Sequence, residues 1–399
     1  MMIDMVTADD HRHRSARGTA FAAVALLLAA VNLRLAVTSV GPVLAEIRAG
    51  LHMSGAEAGL LTSVPVLCFA TVGFAAPRLA RRFGTSAVIA TGLVVLTAGL
   101  ATRPYAPGAA VFVLLSLLAL AGIAVVNVLL PMVVKDRFPD RVGTMTGLYS
   151  VALNVGATTA AATTVPLSQA FGDWRLGLAS WAAVAVLAVP PWLLLARDRD
   201  RSAPPETTAI EVRLIRQPIA WALALYFGMQ STSAYVIIGW LPQIYRDAGL
   251  SAESAGVLFA VTSFLGVPLS FLLAAAAGRR RSQSGIAAAL GVFGLAGYGG
   301  LTLWPAVVPW VWAVLLGVVN CAFPLALTLI GLRGRTPATV VRLSAFAQGV
   351  GYLIAIPGPL LVGVLHDAAG GWRLPLALMV GLMIPQMLAG IAAGRDRQV

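Results

Sequence analysis

Gly172-Asp173-Trp174-Arg175-Leu176-Gly177-Leu178-Ala179 returns 198 residues later as Gly370-Gly371-Trp372-Arg373-Leu374-Pro375-Leu376-Ala377. That spacing is about half of the 399-residue chain. Two further echoes keep the same order. Val125-Val126-Asn127 with Pro131 recurs as Val318-Val319-Asn320 with Pro324. Ile47, Ala49-Gly50-Leu51 and Ala58-Gly59-Leu60-Leu61 recur as Ile244, Ala248-Gly249-Leu250 and Ala255-Gly256-Val257-Leu258. Three echoes in one order argue for tandem duplication. In a membrane chain, duplicated halves place a site at the interface between repeats.

The composition is that of a membrane chain. Apolar residues make up 59% and charged residues 11%, against roughly 25% charged in soluble domains. Twelve apolar stretches approach or exceed the roughly 20 residues needed to span a bilayer. They lie near 18–43, 57–77, 85–101, 107–134, 143–166, 175–196, 217–243, 253–277, 284–304, 307–331, 340–365 and 374–394. The first run is too long for a cleaved signal peptide. The lengths fit helices; barrel strands would alternate over about 10 residues. The expected fold is all-α, with two pseudo-symmetric six-helix bundles at 1–196 and 217–399. The polar stretch 197–216 is expected to be a cytoplasmic linker between them.

The formal charge of +12 is placed for topology. With the N-terminus inside, 22 of the 28 basic residues fall in cytoplasmic segments and five, Arg48, Arg103, Arg175, Arg246 and Arg373, in outer loops. That asymmetry predicts a multi-pass protein of the cell inner (plasma) membrane with both termini in the cytoplasm. The basic charge then meets anionic lipid rather than nucleic acid. Cys68 and Cys321 lie in apolar stretches as packing residues, not as a disulfide framework. Known hydrolase, nucleotide-binding and zinc motifs are missing from the sequence, so neither catalysis nor a cofactor nor a metal is expected.

Arg34 is the remaining basic residue, and it lies deep in the first span. Glu57 and Glu253 sit at helix starts, so no carboxylate of the sequence stands at its depth. An arginine does not escape by losing its proton. It faces either a solute that brings negative charge or backbone carbonyls that hold it in place. Uncharged hydrogen-bonding residues accompany it. Asn32 and Thr38 share its helix. The repeat puts Gln230 and Tyr235 at equivalent depth in span seven, and Asn127 and Asn320 match each other in spans four and ten. Gln348 and Tyr352 of span eleven, with Tyr149 and Asn154 of span five, are further candidates. Amides and hydroxyls around one guanidinium suit a small, planar, anionic or dipolar solute. For Asn127 and Asn320, interhelical packing is the competing role. Pro357-Gly358-Pro359 is expected to break span eleven.

The architecture resembles the major facilitator superfamily. Pro77-Arg78-Leu79-Ala80-Arg81-Arg82-Phe83-Gly84 resembles that family's loop signature between spans two and three, which implies gating roles for Arg78, Arg81, Arg82 and Gly84. Arg81 stands where the signature has an acidic residue, so a gating ion pair through that position is not implied. Within the superfamily the chain is similar to the cyanate/2-nitroimidazole transporter (CynX/NimT) branch. The resemblance rests on Asn32-Leu33-Arg34 with Thr38-Ser39-Val40-Gly41-Pro42, Asn127-Val128-Leu129-Leu130-Pro131, Phe227-Gly228-Met229-Gln230-Ser231, Trp240-Leu241-Pro242, Ala347-Gln348 with Gly351-Tyr352, and Leu365-His366-Asp367. Leu35 departs from a branch pattern that has proline there. The resemblance implies a single-chain secondary or facilitative transporter of a small solute, working by alternating access. Drug or metabolite efflux by the same fold is the alternative, and a sensor that no longer transports is a remote one. Without a deep carboxylate, a coupled proton would travel with the solute or enter at His366.

Overall fold

The computed structural model describes residues 2–197 and 212–396. Residues 198–211, most of the expected linker, lie outside the described residues. In the first half the helices are α1 (Met2–Thr38), α2 (Leu44–Leu51), α3 (Gly55–Phe83) and α4 (Thr85–Thr102). They are followed by α5 (Ala109–Arg137), α6 (Val142–Ala170), α7 (Trp174–Ala179) and α8 (Trp181–Arg197). The second half begins with α9 (Val212–Ile215), α10 (Pro218–Asp247), α11 (Ala252–Gly278) and α12 (Ser284–Leu303). It continues through α13 (Pro309–Val319), α14 (Ala322–Arg333), α15 (Pro337–Ala355), α16 (Pro357–Ala369) and α17 (Arg373–Ala393). No strand occurs among the described residues. Among the described residues, ten segments are long and apolar enough to cross a membrane. The other two expected spans are the 29-residue α6 and 27-residue α11, which pack against each other across the two halves.

The sequence repeat is a packing repeat. α1 packs on α6 as α10 packs on α15. α3 and α4 pack on α5 as α11 and α12 pack on α13, and α4 meets α8 as α12 meets α17. Between halves, α6 against α11 mirrors α3 against α16.

The repeated motif has a physical role at one end of the molecule. The backbone turns into α7 and α17 through Gly172 (φ 68°) and Gly370 (φ 63°), a left-handed region that favours glycine. Trp174 then packs over Gly50, and Trp372 donates its indole N–H to Asp247 at 2.8 Å. The turns ending α2 and α10 are alike in geometry: each takes one left-handed residue, His52 (φ 50°) after α2 and Gly249 (φ 97°) after α10.

Local chemistry sets the helix ends. Ser54 and Glu57 form a reciprocal capping box at the start of α3. Gly84, at φ 89° and ψ 143°, separates α3 from α4, so a helix-continuing residue there would fuse the two. Span eleven breaks at Pro357, as its sequence predicts. Span ten breaks at Asn320-Cys321, between α13 and α14. Pro324 has no N–H to offer the Asn320 carbonyl four residues back, which accepts instead from the Phe323 N–H at 3.3 Å. The helices run on through Pro65, Pro131, Pro166, Pro242 and Pro268.

Candidate functional site

Arg34 is half-buried on α1 and makes no hydrogen bond or ion pair with a described residue. Its charge reaches the side chains of Tyr149 on α6, Tyr235 on α10 and Tyr352 on α15. One guanidinium from the first half is therefore within electrostatic reach of tyrosines on helices of both halves. The Tyr352 ring stacks on Phe69 of α3, with centroids 5.5 Å apart and planes 24° from parallel. Phe227 of α10 meets Tyr352 edge-on at 5.0 Å. A cation beside flat aromatic walls can hold a planar anion, bonding its edge and covering its faces.

The other expected residues divide by position. Gln348 lies one turn before Tyr352 on α15 and donates to the Ser344 hydroxyl at 2.6 Å. Asn127 is half-buried and has no bonded partner among the described residues. Helical spacing puts it on the stripe of Ser116, Leu120 and Ile123, whose first two members line a cavity between the halves. Asn320 stands at the break in span ten with its buried Oδ1 unpartnered.

Asn32 faces elsewhere. Two residues from Arg34 is about 200° around a helix, and its amide donates to the Leu28 carbonyl at 2.9 Å and the Val184 carbonyl of α8 at 3.5 Å. Thr38 donates to the Arg34 carbonyl at 2.9 Å, within its own helix. Gln230 is fully buried and accepts from Gln386 of α17 at 3.1 Å. Arg34, Tyr235 and Tyr352 are thus brought together, while the polar groups of Asn32, Thr38 and Gln230 engage carbonyls or a neighbouring helix.

Arg78, Arg81 and Arg82 are exposed near the end of α3, with Arg82 over the Phe83 ring at 5.2 Å. At the opposite end the halves are bonded together. Arg48 pairs with Asp367 at 3.1 Å and Arg246 with Glu46 at 2.7 Å. The Gly55 N–H donates to Asp367. His366 lies 3.9 Å from Asp247 and 4.3 Å from the Trp372 ring.

Phe69 and Phe227 escape the sequence reading because aromatic side chains in apolar spans carry no mark of the ring they will meet. Arg103 escapes it more completely. Counted above as an outer-loop charge, it is 1% exposed in the structure. It follows α4 directly, and the turn at Arg103–Tyr105 folds it back among the helices.

Residues 26–356 match the Major Facilitator Superfamily. The chain belongs to that superfamily. It is 36% identical to an uncharacterized transporter, YycB, of Bacillus subtilis, over 98% of this chain and 97% of that one. It is 35% identical to the 2-nitroimidazole transporter of Escherichia coli, over 94% of this chain and 95% of that one. With the Escherichia coli cyanate transport protein CynX it shares 34% identity, over 90% of this chain and 94% of that one. These relatives place it in the CynX/NimT branch of the superfamily. The fold matches a bacterial homologue of the lysosomal transporter Spinster, solved inward-facing and occupied, with TM-score 0.75, 17% identity, and coverage of 95% of this chain and 98% of that chain. This major facilitator chain is a multi-pass membrane transporter of twelve-helix architecture.

Proposed function

We propose that the chain carries a small, planar, anionic or dipolar solute, with Arg34 binding its acceptor atoms. One observation carries this reading: an unpaired guanidinium, half-buried, faced by tyrosines of α6, α10 and α15. Because these helices come from both halves, a solute held there is released when the halves rock apart. Relatives named for cyanate and 2-nitroimidazole suit the same size class, since both solutes are flat and small. Efflux of bulky cations is disfavoured because a lone arginine repels them. Asn127, Gln348 and Asn320 supply further hydrogen-bonding groups, and the exposed arginines 78, 81 and 82 with Gly84 form a cytoplasmic gating loop. The chain works as a monomer, and its basic-residue asymmetry supports a place in the inner membrane with both termini in the cytoplasm. A proton accompanies the solute or passes by His366, and uptake with and without a pH gradient separates coupled from facilitative transport.

The test is thermal unfolding of purified protein with cyanate or 2-nitroimidazole, in wild type, Arg34→Gln and Arg34→Lys. Cyanate is expected to stabilise wild type, with Arg34→Gln losing affinity at least about tenfold. Arg34→Lys falls between, because an ammonium keeps the charge without the fork of donors. Equal stabilisation of all three proteins would sink the assignment.

A further inference from the structure

We propose that Arg103 forms a second anion-binding station, between Arg34 and the end where the halves are bonded together. Arg103 lines a small cavity of about 20 Å³, with Val37, Thr62, Ser116, Leu120 and Tyr235 on its walls. These residues come from α1, α3 and α5 of one half and α10 of the other. Tyr235 belongs to both places, since it also feels the charge of Arg34.

The cavity wall is made for negative charge. Arg103 is 1% exposed and has no carboxylate partner among the described residues. One terminal nitrogen donates to the Ala36 carbonyl at 3.1 Å and to the Ser39 hydroxyl at 3.4 Å. Its Nε–H has no acceptor. The Ser116 hydroxyl, fully buried on the same cavity, has no partner either. The nearby carboxylates are committed elsewhere: Glu46 to Arg246 and Glu57 to the Ser54 cap. A buried guanidinium is costly unless its charge is met, and here the two unpartnered groups are hydrogen-bond donors. Their complement is the acceptor edge of a small monovalent anion such as cyanate, nitrate or formate. Ala36 and Ser39 lie two and five residues beyond Arg34 on the way to α2. At about 1.5 Å rise per residue, the station stands roughly one helical turn further along. A solute passing along α1 would meet two guanidiniums in series.

The experiment uses the full chain in a gluconate buffer, titrated with sodium cyanate, nitrate or formate, and follows thermal unfolding. Four proteins are compared: wild type, Arg34→Gln, Ser116→Val and the double variant. Valine fills the cavity beside Arg103 and removes the hydroxyl while leaving the arginine's carbonyl bonds in place. Arg34→Gln should keep part of the anion-induced rise in melting temperature, and adding Ser116→Val should remove it, weakening the remaining affinity at least about tenfold. If Arg34→Gln abolishes the whole response and Ser116→Val changes nothing, Arg103 is a clamp between helices and only Arg34 binds anions. Should Ser116→Val alone abolish the response, the Arg34 reading falls and this station stands. A response that survives in the double variant, or no response in any protein, overturns the second station.

Discussion

At the scale of single residues, Arg34 and Arg103 show what depth in a sequence can and cannot reveal. Arg34 lies far from both ends of its span, so sequence position alone marks it as buried. Arg103 lies just past an apolar run, where an arginine ordinarily meets water. Only the turn at Arg103–Tyr105 brings it inside. Asn32 and Gln230 show the opposite failure: both lie at the depth of the site, and both turn toward other helices. Membrane helices are apolar toward lipid and toward protein alike, so periodicity does not say which face looks into the cavity. His52 gives a cleaner residue-level prediction. It is exposed and makes the left-handed turn after α2 that Gly249 makes after α10. A residue with a Cβ in that conformation costs roughly 1–2 kcal/mol, partly offset by the greater freedom of glycine when unfolded. His52→Gly should therefore stabilise the protein by about 0.5–1 kcal/mol, seen as a higher unfolding midpoint in detergent. A lower midpoint would mean the imidazole contributes more than the turn costs.

At the scale of elements, prolines act differently by position. Pro65 and Pro131 sit inside continuous helices, whereas Pro357 and Pro324 stand in the first turns of α16 and α14, where a missing N–H is tolerated. The break at Asn320-Cys321 places a polar side chain and loosened backbone together in span ten. Pro324→Ala returns an N–H within reach of the Asn320 carbonyl. It should join α13 to α14 and slow amide exchange across residues 321–325 by about tenfold. Unchanged exchange would show that tertiary packing holds the break. The break in span eleven was legible because two prolines flank one glycine. In span ten a lone proline was legible only as a kink, since prolines of that kind are also accommodated elsewhere in the chain.

For the whole molecule, the ion pairs of Arg48 with Asp367 and Arg246 with Glu46 close one end across the halves. Backbone contact reinforces them. A Cβ on Gly59 of α3 would fall 2.8 Å from the Leu360 Cα of α16, and its nearest neighbours all belong to the other half. Gly59→Val should therefore fold within its own half yet resist closure at this end. In a background without Cys68 and Cys321, a Leu61→Cys thiol should then react about tenfold faster with an impermeant maleimide applied from the Arg48 side. Equal reactivity with and without the valine would show that the contact does not govern closure.

The sequence by itself determined the twelve-helix duplicated fold, because apolar length and internal repetition are properties of the chain. It also marked Arg34, because a permanent charge far from both span ends has no local way to reach water. Tertiary structure alone decided which polar side chains lie within reach of that arginine's charge. It brought Tyr149, Tyr235 and Tyr352 within that reach, sent Asn32 and Gln230 to other helices, and drew Arg103 inward from a span end. The physical reason is that helix rotation in a bilayer is fixed by packing against neighbours, and neighbours distant in sequence cannot be read from one span at a time.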